Sequence, residues 1–157
     1  MSIRRAEDRD SEAICQCIAE MQDFERTLDP RLRPGASMAA AYWTQMQAEC
    51  AAANGRVFVA EVESVVVGMV AVVAAQRFES LDDPPGTFAL VTDMAVLESH
   101  RDHGIGRKLL EQAEAFSWSA GATELRIGVM HQNVRARHLY LSAGFKPHLE
   151  MLAKQRA

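Results

Sequence analysis

The stretch that decides the fold is Arg101-Asp102-His103-Gly104-Ile105-Gly106, which lies between a strand-like run at residues 88–96 and a helical run that begins near Gly104. Two glycines separated by one residue let the backbone turn sharply, because neither carries a Cβ. Several N–H groups can then converge at the start of a helix, where the helix dipole also favours negative charge. The stretch predicts a phosphate-binding loop, although a plain turn at a helix start explains the Gly-x-Gly pattern equally well.

Two well-known phosphate loops do not match this stretch. A Walker A loop needs Gly-x4-Gly-Lys-Ser/Thr, a string that the sequence lacks, and the dinucleotide fingerprint needs a third glycine at the position of Leu109. The pattern that remains, Arg-x-x-Gly-x-Gly, resembles the acyl-CoA pyrophosphate loop of the GNAT superfamily of N-acetyltransferases. The resemblance extends to a second motif.

The second motif fits the family's pattern Asn-x-x-Ala-x-x-x-Tyr-x-x-x-Gly-Phe, with its defined positions occupied by Asn133, Ala136, Tyr140, Gly144 and Phe145. The resemblance is strongest over residues 92–145. Residues 1–87 match less specifically, in the order of their elements and in an Ile-Arg-x-Ala opening. Because two motifs occur at the right separation and on the right elements, the chain is identified as a member of the GNAT superfamily.

The composition is ordinary for a soluble globular protein, with 48% apolar and 24% charged residues. At 157 residues the chain is expected to form a single domain, residues 1–157, that buries roughly 70% of its unfolded surface. A net charge of −4 gives no reason to expect a nucleic acid or a membrane as partner. Cys15, Cys17 and Cys50 lack metal-ligand or redox spacing and no N-terminal apolar segment is visible, which favours a cytoplasmic protein with reduced thiols.

Hydrophobic periodicity predicts an α/β domain with a mixed central β-sheet flanked by helices, in the order β-αα-βββ-α-β-α-β. The predicted strands cover residues 2–6, 57–62, 65–74, 88–97 and 123–129, with a weak last strand at 149–153. The predicted helices cover residues 10–28, 37–54, 104–121 and 133–143. Ser37 is expected to cap the second helix, and residues 76–87 are expected to form a loop. Glu63-Ser64 is poor chemistry for a tight hairpin, so the register there stays open.

The resemblance implies how acetyl-CoA binds. In the family, the strand matching residues 88–96 carries a bulge and splays from the strand matching 123–129, and the pantetheine arm lies in the gap. The pyrophosphate contacts the backbone of the glycine loop. Arg107 and Lys108 place two cations near it in the first helical turn. An ion pair from Arg107 to Glu111 is the alternative role for the arginine. The cofactor-binding residues implied are Met94, Ala95, Val96, Arg101, Asp102, His103, Gly104, Ile105, Gly106, Arg107, Lys108, Asn133, Ala136 and Tyr140.

Tyr140 is the residue predicted to carry the chemistry. Acetyl transfer to an amine expels the thiolate of coenzyme A, and a positioned phenol can protonate it. A tyrosine in water has a pKa near 10, above that of a thiol, near 8.5, so the phenol keeps its proton at neutral pH. Asn133 precedes Tyr140 by two helical turns, which puts both on one helix face about 10 Å apart. The alternatives are a helix cap for Asn133 and a core position for Tyr140.

No side chain stands out as the base that deprotonates the amine. Strand alternation puts Thr92 and Met94 on one face and Asp93 on the other, unless a bulge reorders them. The resemblance implies that relatives acting on polyamines carry a carboxylate at the position of Thr92, and a threonine is not a base at neutral pH. We therefore expect Asp93 to be a structural carboxylate that hydrogen-bonds nearby backbone, with deprotonation through ordered water. His100-x-x-His103 has no third ligand in sequence, so no metal is expected. His131 and His138 are expected at the surface or in the core.

The acceptor is the part of the function that the sequence leaves open. The family shapes that pocket from regions matching residues 24–38, 76–88 and 145–152, whose mixed charges select neither an acidic nor a basic acceptor. The sequence predicts an acetyl-CoA-dependent N-acetyltransferase of a primary amine, by direct attack in a ternary complex. A small metabolite is the favoured acceptor, and a homodimer is left open. The alternatives are a protein or peptide N-acetyltransferase and a catalytically silent acyl-CoA sensor or scaffold.

Overall fold

A computed structural model describes residues 1–77 and 84–156 and confirms a mixed α/β fold. The strands form one sheet in chain order, with β1 to β4 antiparallel and β5 parallel to β4. The strands are β1 (Ser2–Arg5), β2 (Arg56–Val62), β3 (Val65–Arg77), β4 (Thr87–Val96) and β5 (Glu124–Ile127). The helices are α1 (Ser11–Leu28), α2 (Gly35–Ala52), α3 (Ile105–Ser119) and α4 (Val134–Ser142).

The core lies between the sheet and the helices on both of its faces. Consecutive side chains from Val57 to Ala60 are buried, as are those from Val66 to Val73, which requires cover on both faces of the sheet. Helices α1 and α2 pack against each other and on β3, while α3 packs on β2 and β3. None of the helices in the described parts of the chain is long and apolar enough to cross a membrane.

The start of α2 differs from the prediction. The helix begins at Gly35, and Ser37 lies inside its first turn with its hydroxyl donating to Pro34 O at 2.7 Å. The cap comes instead from α1, because Asp23 Oδ1 accepts the Gly35 N–H at 2.8 Å. A Cβ at Gly35 would overlap the Ala19 backbone, so the glycine also permits the close approach of the two helices. Capping by a distant side chain is not visible in local sequence.

The β2–β3 hairpin has a definite register despite its unusual turn residues. Glu63 and Ser64 both adopt positive φ, at 49° and 65°, which matches the two-residue turns that join twisted strands. The register pairs Val62 with Val65. Strand β3 then continues to Arg77, so Gln76 and Arg77 pair with β4 rather than belonging to the predicted loop. The Asp82-Asp83 part of that loop lies outside the described residues.

Strand β4 creates the feature on which the site depends. Its pairing with β3 skips Thr92, which forms the expected bulge, and burial still alternates so that Val91, Asp93 and Ala95 are buried. Strand β5 is shorter than predicted and pairs with β4 only over residues 88–91. Beyond that point β4 continues to Val96 without β5 beside it, so the two strands diverge, as the resemblance implies.

The last predicted strand is wrong. Residues 145–156 adopt neither helix nor strand. Leu149, Met151 and Leu152 are more than 80% exposed, so these side chains are not packed on the sheet within the part of the chain that the structure describes. The observed order is therefore β-αα-βββ-α-β-α among the residues that the structure describes.

Candidate active site

A cavity of about 670 Å³ opens where β4 and β5 diverge. Residues of α1, α2, α3 and α4 line it. Residues 91–96 of β4 and residues 127–130 at the end of β5 line it as well. The cavity therefore joins the glycine loop before α3 to Tyr140 and to the space under α1 and α2.

The glycine loop presents free backbone donors at one end of this cavity. Gly104 has φ +76° and a Cβ built there meets no atom within 4 Å, so the loop faces open space. The first N–H of α3 with an intrahelical partner is that of Lys108, which donates to Gly104 O at 3.2 Å. The amides of Ile105, Gly106 and Arg107 precede it and are free of helical acceptors. Gly106 differs from Gly104, because its Cβ would contact Leu139 Cδ2 at 3.0 Å.

The side chains around the loop separate into those that line the cavity and those that do not. Arg107 lines it and donates to Ser142 O at 3.1 Å and Ser142 Oγ at 2.8 Å, in place of the alternative pair with Glu111. Arg135 also lines it and pairs with Asp102 Oδ1 at 2.8 Å. The predicted binding residues that line the cavity are Met94, Ala95, Val96, Arg101, Asp102, Gly104, Ile105, Gly106, Arg107, Asn133, Ala136 and Tyr140. His103 and Lys108 lie outside it.

Arg101 and the loop histidines make contacts within the loop itself. The Arg101 N–H donates to Glu98 O at 3.3 Å and its Nε donates to Val96 O at 2.9 Å. His100 Nδ1 lies 2.8 Å from Ser99 Oγ, and His103 Nδ1 lies 2.7 Å from Arg101 O. Within the described parts of the chain, no three His, Cys, Asp or Glu side chains are grouped to hold a metal ion. His131 and His138 are exposed, and His138 lines the cavity.

Helix α4 positions Asn133 and Tyr140. Asn133 Oδ1 caps the helix by accepting the Ala136 N–H at 3.1 Å, and Asn133 also lines the cavity. At the other end, Gly144 has φ +96° and the Phe145 N–H donates to Tyr140 O at 3.0 Å. The ring of Phe145 lies against that of Tyr140, with centroids 6.1 Å apart. These contacts fix the tyrosine ring from its backbone side.

The Tyr140 hydroxyl is left available. The side chain is 9% exposed and lines the cavity, and its hydroxyl has no hydrogen-bond partner among the described residues. Burial, followed by the charge of Glu25, raises the pKa of Tyr140 to about 12. The phenol therefore stays protonated well above neutral pH and can donate to a group bound in the cavity.

The part of the cavity under α1 and α2 contains two carboxylates. Asp93, 8% exposed, accepts a hydrogen bond from the Tyr42 hydroxyl at 2.8 Å. Its partner is thus a side chain of α2 rather than the nearby backbone that we expected. Burial raises the pKa of Asp93, opposed by hydrogen bonds from Tyr42 and Thr92. The second carboxylate is Glu25 of α1, and its pKa is raised by burial and then by the charge of Asp93.

The charged residues of 24–38 do not all lie at the cavity, and residues 78–83 of the second predicted region lie outside the described residues. Of the charged residues in 24–38, only Glu25 lines the cavity. Arg26 instead donates from Nε to Leu32 O at 3.0 Å, and Arg31 pairs with Asp29. Sequence reasoning also missed Tyr42, which its helical spacing assigns to the core, and Arg135, for which no sequence signal exists. The part of the cavity under α1 and α2 carries the carboxylates Glu25 and Asp93, and the loop end carries the arginines.

Comparison with known proteins gives one family. The profile of the acetyltransferase (GNAT) family matches residues 18–145. No curated protein matches the sequence significantly. Among solved structures, a mutant of the BH1408 protein from Bacillus halodurans superposes with a TM-score of 0.82 at 19% identity, covering 100% of both chains.

Two further solved structures are named as aminoglycoside acetyltransferases. The 6'-N-acetyltransferase AAC(6')-IG from Acinetobacter haemolyticus has a TM-score of 0.73 and 16% identity, covering 100% of this chain and 99% of that one. The N-acetyltransferase AAC(6')-Iy in complex with CoA has a TM-score of 0.69 and 14% identity, covering 99% and 100%. At these identities the likeness shows the fold.

Proposed function

The chain belongs to the GNAT family of acetyltransferases, and from this premise we propose that it transfers the acetyl group of acetyl-CoA to a primary amine of a small metabolite, by direct attack in a ternary complex. The proposal is supported above all by one cavity. That cavity joins a loop of free backbone donors, a tyrosine with an unpartnered hydroxyl and a pair of carboxylates, all among the described residues. Those are the groups needed to hold an anionic donor, protonate its leaving group and receive a cationic amine.

The loop end of the cavity fits the diphosphate of coenzyme A. Free N–H groups at the start of α3 and open space at Gly104 suit a phosphate oxygen. Arg107 and Arg135 add positive charge beside the loop. The unpaired edge of β4 over residues 92–96 offers backbone groups to an extended chain that carries amides, much like an added strand.

Tyr140 acts as the general acid in this proposal. Bound acetyl-CoA supplies the thioester, and the Tyr140 hydroxyl donates its proton to the sulfur that leaves as the C–S bond breaks. Because the pKa of Tyr140 is raised to about 12, the proton is present across the physiological range. The Tyr42–Asp93 hydrogen bond and Glu25 face the amine on the other side.

Two considerations support a small, cationic acceptor. The acceptor end of the cavity carries two carboxylates, which favour an ammonium group. Two similar folds bear the names of aminoglycoside acetyltransferases, and aminoglycosides are small molecules with several amino groups.

Release of free thiol from acetyl-CoA across an amine panel tests the proposal. The panel contains alkyl monoamines, alkyl diamines, aminoglycosides and lysine peptides. We expect thiol release well above the amine-free rate with at least one small amine, and slower release with peptides. If acetyl-CoA raises the melting temperature but no amine releases thiol, the protein is an acyl-CoA-binding module and the proposal is wrong.

A further inference from the structure

Among the described residues, Glu25 is the one carboxylate that α1 presents to the cavity, and it has no partner there. Its neighbour Asp23 accepts the Gly35 N–H, and its neighbour Arg26 donates to Leu32 O. The half-buried Glu25 side chain makes no hydrogen bond or ion pair with any residue that the structure describes. Because the Glu25 side chain is partly exposed in the cavity, a ligand bound there can reach its oxygens and supply a partner.

The surroundings of Glu25 connect it to the reacting end of the cavity. Glu25 lines the same cavity as Asp93 of β4 and Tyr140 of α4. The charge of Asp93 contributes to the raised pKa of Glu25, and the charge of Glu25 contributes to that of Tyr140. An amine that attacks a thioester beside Tyr140 therefore shares this cavity with Glu25.

Asp93 is less suited to take a proton from that amine. Its side chain is 8% exposed and is already engaged by the Tyr42 hydroxyl. Glu25 is more exposed and has all its acceptor positions free of described residues. Glu25 is thus the carboxylate whose oxygens carry no hydrogen bond from a described residue, whereas Asp93 already accepts one from Tyr42.

We infer that Glu25 accepts the proton of the acceptor's ammonium group and so selects cationic alkyl amines as substrates. The inference rests on the proposed function. Alkyl ammonium groups have a pKa near 10, so about one molecule in a thousand carries a free lone pair at pH 7. A carboxylate in the cavity attracts the ammonium group and takes up its proton as the nitrogen attacks the thioester.

The protons and electrons of the step balance. The ammonium gives one proton to Glu25, and the freed lone pair forms the N–C bond to the thioester carbon. The C–S bond breaks, its electron pair leaves on sulfur, and sulfur takes the Tyr140 proton. The second nitrogen proton returns to Tyr140 through water, and Glu25 releases its proton to solvent. The products are the N-acetyl amine, the free thiol and one proton.

Other titratable groups around the cavity set the electrostatic background of Glu25. The groups on the elements packed around it are Tyr42 and Glu49 of α2, Asp93 of β4, and Tyr140 and His138 of α4. The charged and titratable groups at the loop end of the cavity are Arg101, Arg107, Arg135, Asp102 and His100. Burial, followed by the charge of Asp93, raises the pKa of the Glu25 carboxyl, which suits a proton acceptor.

The test compares two amines in wild type, Glu25→Gln and Glu25→Asp. One amine is an alkyl diamine that is protonated at pH 7, and the other is 2,2,2-trifluoroethylamine, which is mostly unprotonated there. Glu12→Gln is the matched control, because Glu12 is an exposed carboxylate of the same helix that does not line the cavity. Melting temperatures with and without acetyl-CoA show that each variant is folded and binds the donor.

A proton-accepting role predicts different losses for the two amines. Glu25→Gln should lower kcat/KM for the diamine by about 10²-fold, while the loss for trifluoroethylamine stays within about threefold. Its kcat/KM for the diamine should keep rising with pH toward the pKa of the amine, whereas the wild-type value levels off earlier. Glu25→Asp should recover part of the activity, and Glu12→Gln should match wild type.

The outcomes separate the inference from the proposed function. If wild type releases thiol with the diamine and Glu25→Gln does so within about threefold of wild type, Glu25 is not the acceptor and the proposed function stands. If both amines lose activity equally, the role of Glu25 is structural and the inference is overturned. If wild type releases no thiol with any amine, the proposed function and the inference fall together.

Discussion

Tyr140 lines the cavity with its ring and carbonyl held by Phe145 and its hydroxyl unpartnered among the described residues. Phe145 packs on the Tyr140 ring and bonds to its carbonyl, while no described residue accepts its hydroxyl proton. The sequence motif predicted the tyrosine and the glycine turn after it. It could not show that the hydroxyl has no partner among the described residues, because that depends on elements far away in the chain.

Tyr140→Phe removes the proton and keeps the ring. We expect kcat to fall by roughly 10²-fold or more while the acetyl-CoA-induced rise in melting temperature is unchanged. Because the pKa of Tyr140 is raised to about 12, the wild-type rate should not decline between pH 8 and 10 through loss of this proton. Steady-state kinetics across that range check both points. Full kcat in the variant would mean that water protonates the thiolate.

Asp93→Asn tests the structural role of the second carboxylate. We expect kcat/KM to change by less than roughly tenfold, since the Asn side-chain oxygen can still accept a hydrogen bond from the Tyr42 hydroxyl. The pKa of Asp93 is raised in the fold, so ionising it costs stability; that cost is absent at low pH and appears as pH rises through the unfolded and folded pKa values. The melting temperature of the variant relative to wild type should therefore increase from acidic to neutral pH. If the variant stays folded but the acidic limb of its pH profile of kcat/KM vanishes, Asp93 is the base.

At the scale of elements, the start of α3 depends on two glycines for different reasons. Gly104 adopts a left-handed conformation and borders open space, whereas Gly106 permits the approach of Leu139 from α4. The sequence treats both as phosphate glycines. The contact of Gly106 with a neighbouring helix is a tertiary feature, so no loop pattern reveals it.

Gly104→Ala should weaken donor binding by placing a methyl group at the loop surface. We expect the acetyl-CoA-induced rise in melting temperature to shrink clearly, measured by thermal denaturation. The positive φ alone costs about 1 kcal/mol, which also lowers the melting temperature of the free protein. Gly121→Ala is the matched control, because Gly121 has φ +87° and equally open surroundings but lies outside the cavity. An acetyl-CoA-induced rise that Gly104→Ala leaves undiminished contradicts the loop assignment.

The sequence predicted elements well where pattern and local chemistry agree. Periodicity located each α-helix of the described residues, and the caps at Asn133 and Gly144 were visible as residue types. The prediction of helix starts failed where tertiary contacts determine them. At Gly35 the cap is Asp23 of another helix. The strand predicted at 149–153 failed because its apolar residues have no surface to cover.

At the scale of the whole molecule, the cavity lies where β4 continues beyond the last residue that pairs with β5. The loop end of the cavity is built from adjacent elements and could be predicted from two motifs. The end of the cavity under α1 and α2 brings together Glu25, Tyr42 and Asp93 from three separate elements, and no spacing in sequence connects them. The acidic character of that end therefore emerges only from the fold.

Acetyl transfer itself is measured most directly by incubating the protein with acetyl-CoA carrying a ¹³C-labelled acetyl group and a small diamine, followed by mass spectrometry. Direct attack predicts that the label appears on the amine in equal amount to the free thiol, with none on the protein. Release of thiol without a labelled amine, or label bound covalently to the protein, would contradict acetyl transfer in a ternary complex.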